Sequence, residues 1–103
     1  MESDERLRLR LEAARERVIR ETGIGADWSE KGQAAFAYGY ARGRGSQRSV
    51  IAGYCAEHGQ DDESVAAVIL GHYSGYCAFM RCEPRWDDVT RAIPAWQSIG
   101  FDL

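Results

Sequence analysis

Five side chains carry groups that bind metals or attack electrophiles: Cys55, His58, His72, Cys77 and Cys82. Cys55 and His58 stand at C-x-x-H spacing, which puts both on one helical face, as a zinc half-site requires. The second half is poor. His72 to Cys77 and Cys77 to Cys82 are each five positions, about 140° around a helix, and side chains so placed do not converge on one ion. Small buried thiols and a hydrogen-bonded core histidine account for the same residues. No metal and no cofactor are therefore expected. Cys–His nucleophilic catalysis also needs an oxyanion site and a third group to orient the base. The pattern supplies neither, so the chain reads as non-enzymatic, with no catalytic residue.

A second constellation is electrostatic. No acid occurs between Lys31 and Ala56, so Lys31, Arg42, Arg44 and Arg48 form a local charge of +4. Gly43 and Gly45 let the backbone bend close to a ligand, and Ser46 opens a helix whose free N–H groups favour anions. Tyr38 and Tyr40 lie two positions apart and cannot face the same way on a helix, so one of them should be exposed or cover a partner. Arg42, Arg44, Arg48, Tyr38 and Tyr40 are thus the candidate partner-binding residues. The acids Glu57, Asp61, Asp62 and Glu63 answer them with a local −4. Helix capping explains most of these, and their spacing closes no divalent-metal loop.

These groups must be positioned by helices, for no strand-like alternation persists. From Ser64 to Met80 the chain runs seventeen residues without a charge, against 28% charged side chains overall. That run is shorter than the ~20 residues of a membrane span and includes His72 and two tyrosines, so it reads as a buried helix over about residues 62–82. Residues 2–22 form an amphipathic N-terminal helix whose stripe, Leu7, Leu11, Ala14 and Val18, can pack on the domain or on a second copy of itself. It is the candidate dimerisation element of a homodimer. Asp27 with Glu30 has the form of a capping box opening a second helix at Trp28. That helix is rich in small residues, and Gly39 should meet Gly71 and Gly75 of the uncharged run. Gly43 breaks the chain, Ser46 caps a third helix to His58, and Asp61 caps the central one. Pro84 starts a fifth helix through Ala92, which Ile93-Pro94 should stop. The tail, with Trp96, Ile99, Phe101 and Leu103, should pack down. The expectation is an all-α single small domain of about five helices.

At 103 residues the chain is one domain with one core. The net charge of −3 argues against a general nucleic-acid binder. A helix-turn-helix across residues 46–73 fails as well, because its recognition helix would carry no basic side chain. Three cysteines cannot all pair within one chain, and the charged opening MESDERLRLR lacks a secretory apolar region, so a cytoplasmic protein with free thiols is expected. The leading expectation is a non-enzymatic protein-binding module, similar in size and charge to small inhibitors and anti-defence proteins of phages and mobile elements. The alternative is a nucleic-acid-binding module using the Arg42–Arg48 turn.

Overall fold

The computed structural model describes residues 3–99, which form five helices. These are α1 (Asp4–Thr22), α2 (Glu30–Ala41), α3 (Gln47–His58), α4 (Asp62–Met80) and α5 (Trp86–Ser98). α4 is central, and every residue from Ser64 to His72 is buried. A helix that is apolar all round must be surrounded, and the other four helices pack on it.

The tightest of these contacts is with α2. A Cβ added at Gly71 would fall inside the carbonyl oxygen of Phe36, one at Gly75 inside that of Tyr40, and one at Gly39 inside that of Val68. The pairs Gly32–Glu63, Phe36–Gly71 and Tyr40–Gly75 advance together along both chains, so α2 and α4 run parallel. The two helices touch through Gly39, Gly71 and Gly75 as expected, but Gly39 lies on Val68 and His72 rather than on Gly71 and Gly75 themselves. Gly43, read from sequence as a breaker, does a second job: it presses on the backbone of Gly75 and Tyr76. α4 thus brings Gly71 and Gly75, four apart, to one face, and Gly39 of α2 with Gly43 just past its end repeats the spacing, which lets backbones touch. The gain is dispersion and Cα–H···O contact along the seam; the cost is about 1 kcal/mol of helix propensity per glycine.

The start of α2 differs from the expected capping box. Ser29, not Asp27, is the cap: its Oγ accepts the Gly32 N–H at 3.3 Å. The carboxylate that completes such a box comes from α4 instead of from Glu30. Glu63 accepts the Ser29 N–H at 3.1 Å and the Ser29 hydroxyl at 2.6 Å. Gly32 makes room for it, since a Cβ there would lie 3.1 Å from the Glu63 carboxyl carbon. Trp28, expected inside the helix, precedes the cap and packs on Phe36 with ring centroids 5.9 Å apart.

α3 and α4 begin as their sequences dictate, with Ser46 and Asp61 accepting the N–H groups of Ser49 and Ser64. Gly59, at φ 90°, ends α3. α4 stops at Met80 because Arg81 turns left-handed, φ 55°. α5 departs from expectation at both ends. It starts at Trp86, and Pro94 lies inside it rather than stopping it. Pro94 has no N–H for the Thr90 carbonyl, yet the helix continues because tertiary contacts hold its last turn. Ile93 is buried, Trp96 packs on the core, and the Gln97 amide donates to the Asp62 carbonyl at 3.0 Å. Gln60 donates to the Ile99 carbonyl. Phe101 and Leu103 lie outside the described residues.

α1 lays its stripe on its own domain. Val18 is fully buried, Leu11 and Ala14 pack against the core, and Leu7 is half-buried. Its far end is tied to α5 through Glu21, which accepts from Trp86 Nε1 at 2.8 Å and from Arg17 at 2.7 Å. These two hydrogen bonds, Trp86 first, hold the Glu21 carboxyl below the usual glutamate range. Among the described residues no helix is long and apolar enough to cross a membrane.

Two predictions follow from this packing. Gly71→Ala should destabilise the fold by about 3 kcal/mol in urea unfolding, since backbone cannot yield to the added methyl. Ala34→Gly, on the exposed face of α2, should cost only about 1 kcal/mol, and equal losses would contradict a seam limited by backbone contact. The second concerns pH. Burial alone would raise the Asp61 pKa, but the Lys31 ammonium at 2.7 Å and the Ser64 N–H outweigh it and lower it. A carboxylate with a depressed folded pKa stabilises above its unfolded value, about 3.9, and that contribution drains away as pH falls through the folded value. Asp61→Asn keeps a capping side chain without the charge, so its unfolding midpoint should fall less steeply below about pH 5 than that of the parent protein.

Candidate partner-binding face

The turn between α2 and α3 is held from below. Gly43 rests on the α4 backbone, and His72, itself buried, reaches up to the carbonyl of Gly45 at 2.7 Å. A carbonyl oxygen only accepts, so Nε2 carries the proton of this bond. His72 is therefore the hydrogen-bonded core histidine expected from sequence, and its partner is the arginine turn.

Fixed in this way, the turn distributes its charged side chains to two sides. Arg42 lies over the Tyr38 ring at 3.5 Å and donates to the Tyr38 carbonyl at 3.0 Å. Tyr38 meets Tyr54 edge-on at 5.4 Å, and Tyr54 packs against His58 at 4.8 Å. Arg44 points the other way, its guanidinium 4.3 Å above the ring of Phe79 at the end of α4. Arg48 is exposed in the first turn of α3. Tyr40 diverges from Tyr38, as their spacing requires, and is half-buried between Phe36 and α1, where its hydroxyl accepts from Arg10 at 3.1 Å. So Arg42 and Tyr38 form one unit, Arg44 belongs to another, and Tyr40 serves the α1 contact.

Three residues missed by the sequence reading complete the Arg44 side. Tyr76, Phe79 and Met80 are 41%, 50% and 52% exposed. The uncharged run reads from sequence as buried throughout, yet α2 ends at Ala41, one residue past the Tyr40–Gly75 contact, and leaves the last turn of α4 exposed. A shallow groove of about 330 Å³ adjoins Phe79 and Arg44, walled by Leu7, Arg10 and Tyr40.

The Cys/His candidates scatter. Cys55 is buried, and burial, then the charge of Asp61, pushes its thiol pKa up. His58 is exposed, 3.4 Å from Glu57. Among the described residues no three His, Cys, Asp or Glu side chains converge as a metal set. One expectation needs correcting: Cys77 and Cys82 do come together. The 140° separation holds only on a continuous helix, and the left-handed Arg81 folds Cys82 back until its N–H donates to the Cys77 carbonyl at 3.1 Å. Nor can α4 act as a recognition helix, because its residues from Ser64 to His72 are covered on all sides.

Comparison with family models, curated proteins and solved structures finds no match to this chain. Its function has to be argued from its own face. If His72 is what seats the turn, His72→Leu should cost about 1–2 kcal/mol and speed amide hydrogen exchange in residues 43–48. Unchanged protection there would show that Gly43 alone holds the turn.

Proposed function

We propose that this chain is a non-enzymatic protein-binding module whose docking face is the end of α4 together with the arginine turn. The observation that carries this reading is the exposed trio Tyr76, Phe79 and Met80 beside Arg44 stacked on Phe79. Aromatic, methionine and arginine side chains around an apolar centre are the composition of interface cores and hot spots. Arg44 on Phe79, with Arg81 directly after Met80, supplies positive charge at the patch, on a protein whose net charge is −3. An acidic protein surface with an apolar centre complements that face in both respects. A small inhibitor that occupies a partner's surface, of the kind phages and mobile elements encode, fits this reading.

The nucleic-acid alternative uses the same arginines, but phosphate binding would leave Phe79 and Met80 without a role. The two differ in salt response. Co-purification from a bacterial lysate should recover a stoichiometric protein, and both Arg44→Glu and Phe79→Glu should weaken its binding about tenfold or more. Both sites are exposed, so the fold should be unchanged. Loss through Arg44→Glu alone, with affinity for an oligonucleotide falling linearly in log–log plots against salt, would replace this reading with the alternative. A partner indifferent to both variants would remove the face altogether.

A further inference from the structure

Cys77 and Cys82 have no part in the docking face, and their arrangement is specific. Cys77 is buried on α4, whereas Cys82 is exposed just past its end. The N–H groups of Arg81 and Cys82 both bond to the Cys77 carbonyl, which clamps the two cysteines across a left-handed turn. A disulfide needs its two cysteines close in space, and past this turn the Cys77 and Cys82 thiols are in contact. Both line one cleft of about 300 Å³ between α1, α4 and the α4–α5 connection, together with Arg17, Ser74 and Trp86. Cys55 sits on α3, away from that cleft.

We infer that Cys77 and Cys82 are a reversible dithiol–disulfide pair, oxidised within one chain by low-molecular-weight disulfides such as glutathione disulfide. The order of events follows from access. Cys82 is the outer thiol; it loses its proton, and its thiolate attacks one sulfur of the small disulfide. The old S–S bond breaks, and one thiolate leaves with the electron pair and is protonated. Cys77 then loses its proton and attacks Sγ of Cys82, expelling the second small thiol. Two electrons pass from the protein dithiol to the small disulfide, which departs as two thiols. The Cys77 thiol is a poor first nucleophile: burial, then its contact with Cys82, pushes its pKa up to about 11. Because Cys82 is exposed, thiols can reach the bond and reverse it.

The test uses the full chain equilibrated in glutathione redox mixtures, acid-quenched, then unfolded in denaturant and alkylated at its free thiols, because Cys55 and Cys77 are buried in the folded protein. Oxidising mixtures should leave one alkylatable cysteine, Cys55, in a monomer lighter by two hydrogens. Trypsin cuts after Arg81, and a glutamate-specific protease cutting after Glu57 and Glu63 separates Cys55 from Cys77, so a linked pair of the peptides carrying Cys77 and Cys82 identifies the bond. Reduced glutathione should restore three alkylatable thiols. Cys82→Ser, at an exposed position, should fold as the parent does and abolish the intramolecular bond completely. Three free thiols across the whole range would overturn the inference. So would a glutathione adduct that persists on Cys82, or pairing through Cys55 or a second chain.

Discussion

Everything in this fold depends on how closely two backbones approach. α2 and α4 touch where Gly39, Gly43, Gly71 and Gly75 carry no side chain, and no other residue fits at Gly39, Gly71 or Gly75 without moving main chain. Glycine is a poor helix former, so neither helix gains locally from these positions. They are stable only as a pair, which makes the seam an all-or-none element. Its parallel direction then sets the connections. Because α2 and α4 point the same way, α3 must carry the chain back along the pair, and the arginine turn and the end of α4 arrive at one end of the molecule.

Polar contacts fasten the seam at both ends. At one end Glu63 reaches from α4 to finish the cap of α2, with Gly32 leaving space for its carboxylate. At the other, His72 bonds the Gly45 carbonyl and seats the turn. The Glu63 bond satisfies the Ser29 N–H that the start of α2 would otherwise leave without a partner, and the His72 bond satisfies the carbonyl of Gly45 in the turn. Each also relates a helix terminus to α4, so register along the seam and closure of the turns are the same constraint.

How much of this was legible depended on whether the cause was local. Ser46, Gly59 and Asp61 act within one turn of chain, and their roles could be read directly. The Gly39 contact was legible because glycine inside a helix has a cost that only close packing explains. The cap of α2 was not, because its carboxylate comes from residue 63, and the nearby Asp27 and Glu30 mimic a capping box. Pro94 misled for a related reason: the bonds that carry α5 past it come from Asp62 and Gln60. The Cys77–Cys82 approach was hidden by a single left-handed residue, Arg81, which is not a glycine and so gave no warning. At the candidate face the arginines were visible as a run without acids, but Phe79 and Met80 were not. Their exposure depends on where α2 ends relative to α4, a property of the pair.

The position of the proposed docking face has the same cause. An uncharged helix longer than its partner must leave part of itself uncovered, and the uncovered part falls where the partner stops. Arg44 follows shortly after the end of α2, so its charge arrives beside the exposed turn of α4 by the same chain geometry. Arg44 lies on Phe79 and not in open solvent; its charge and the apolar ring occupy one patch. A partner that covered Phe79 would desolvate the guanidinium above it, and without an acidic group to receive that charge the burial would be unfavourable. A partner docking on the proposed face would therefore have to bring both an apolar contact and a carboxylate, and surfaces offering only one of them would be disfavoured.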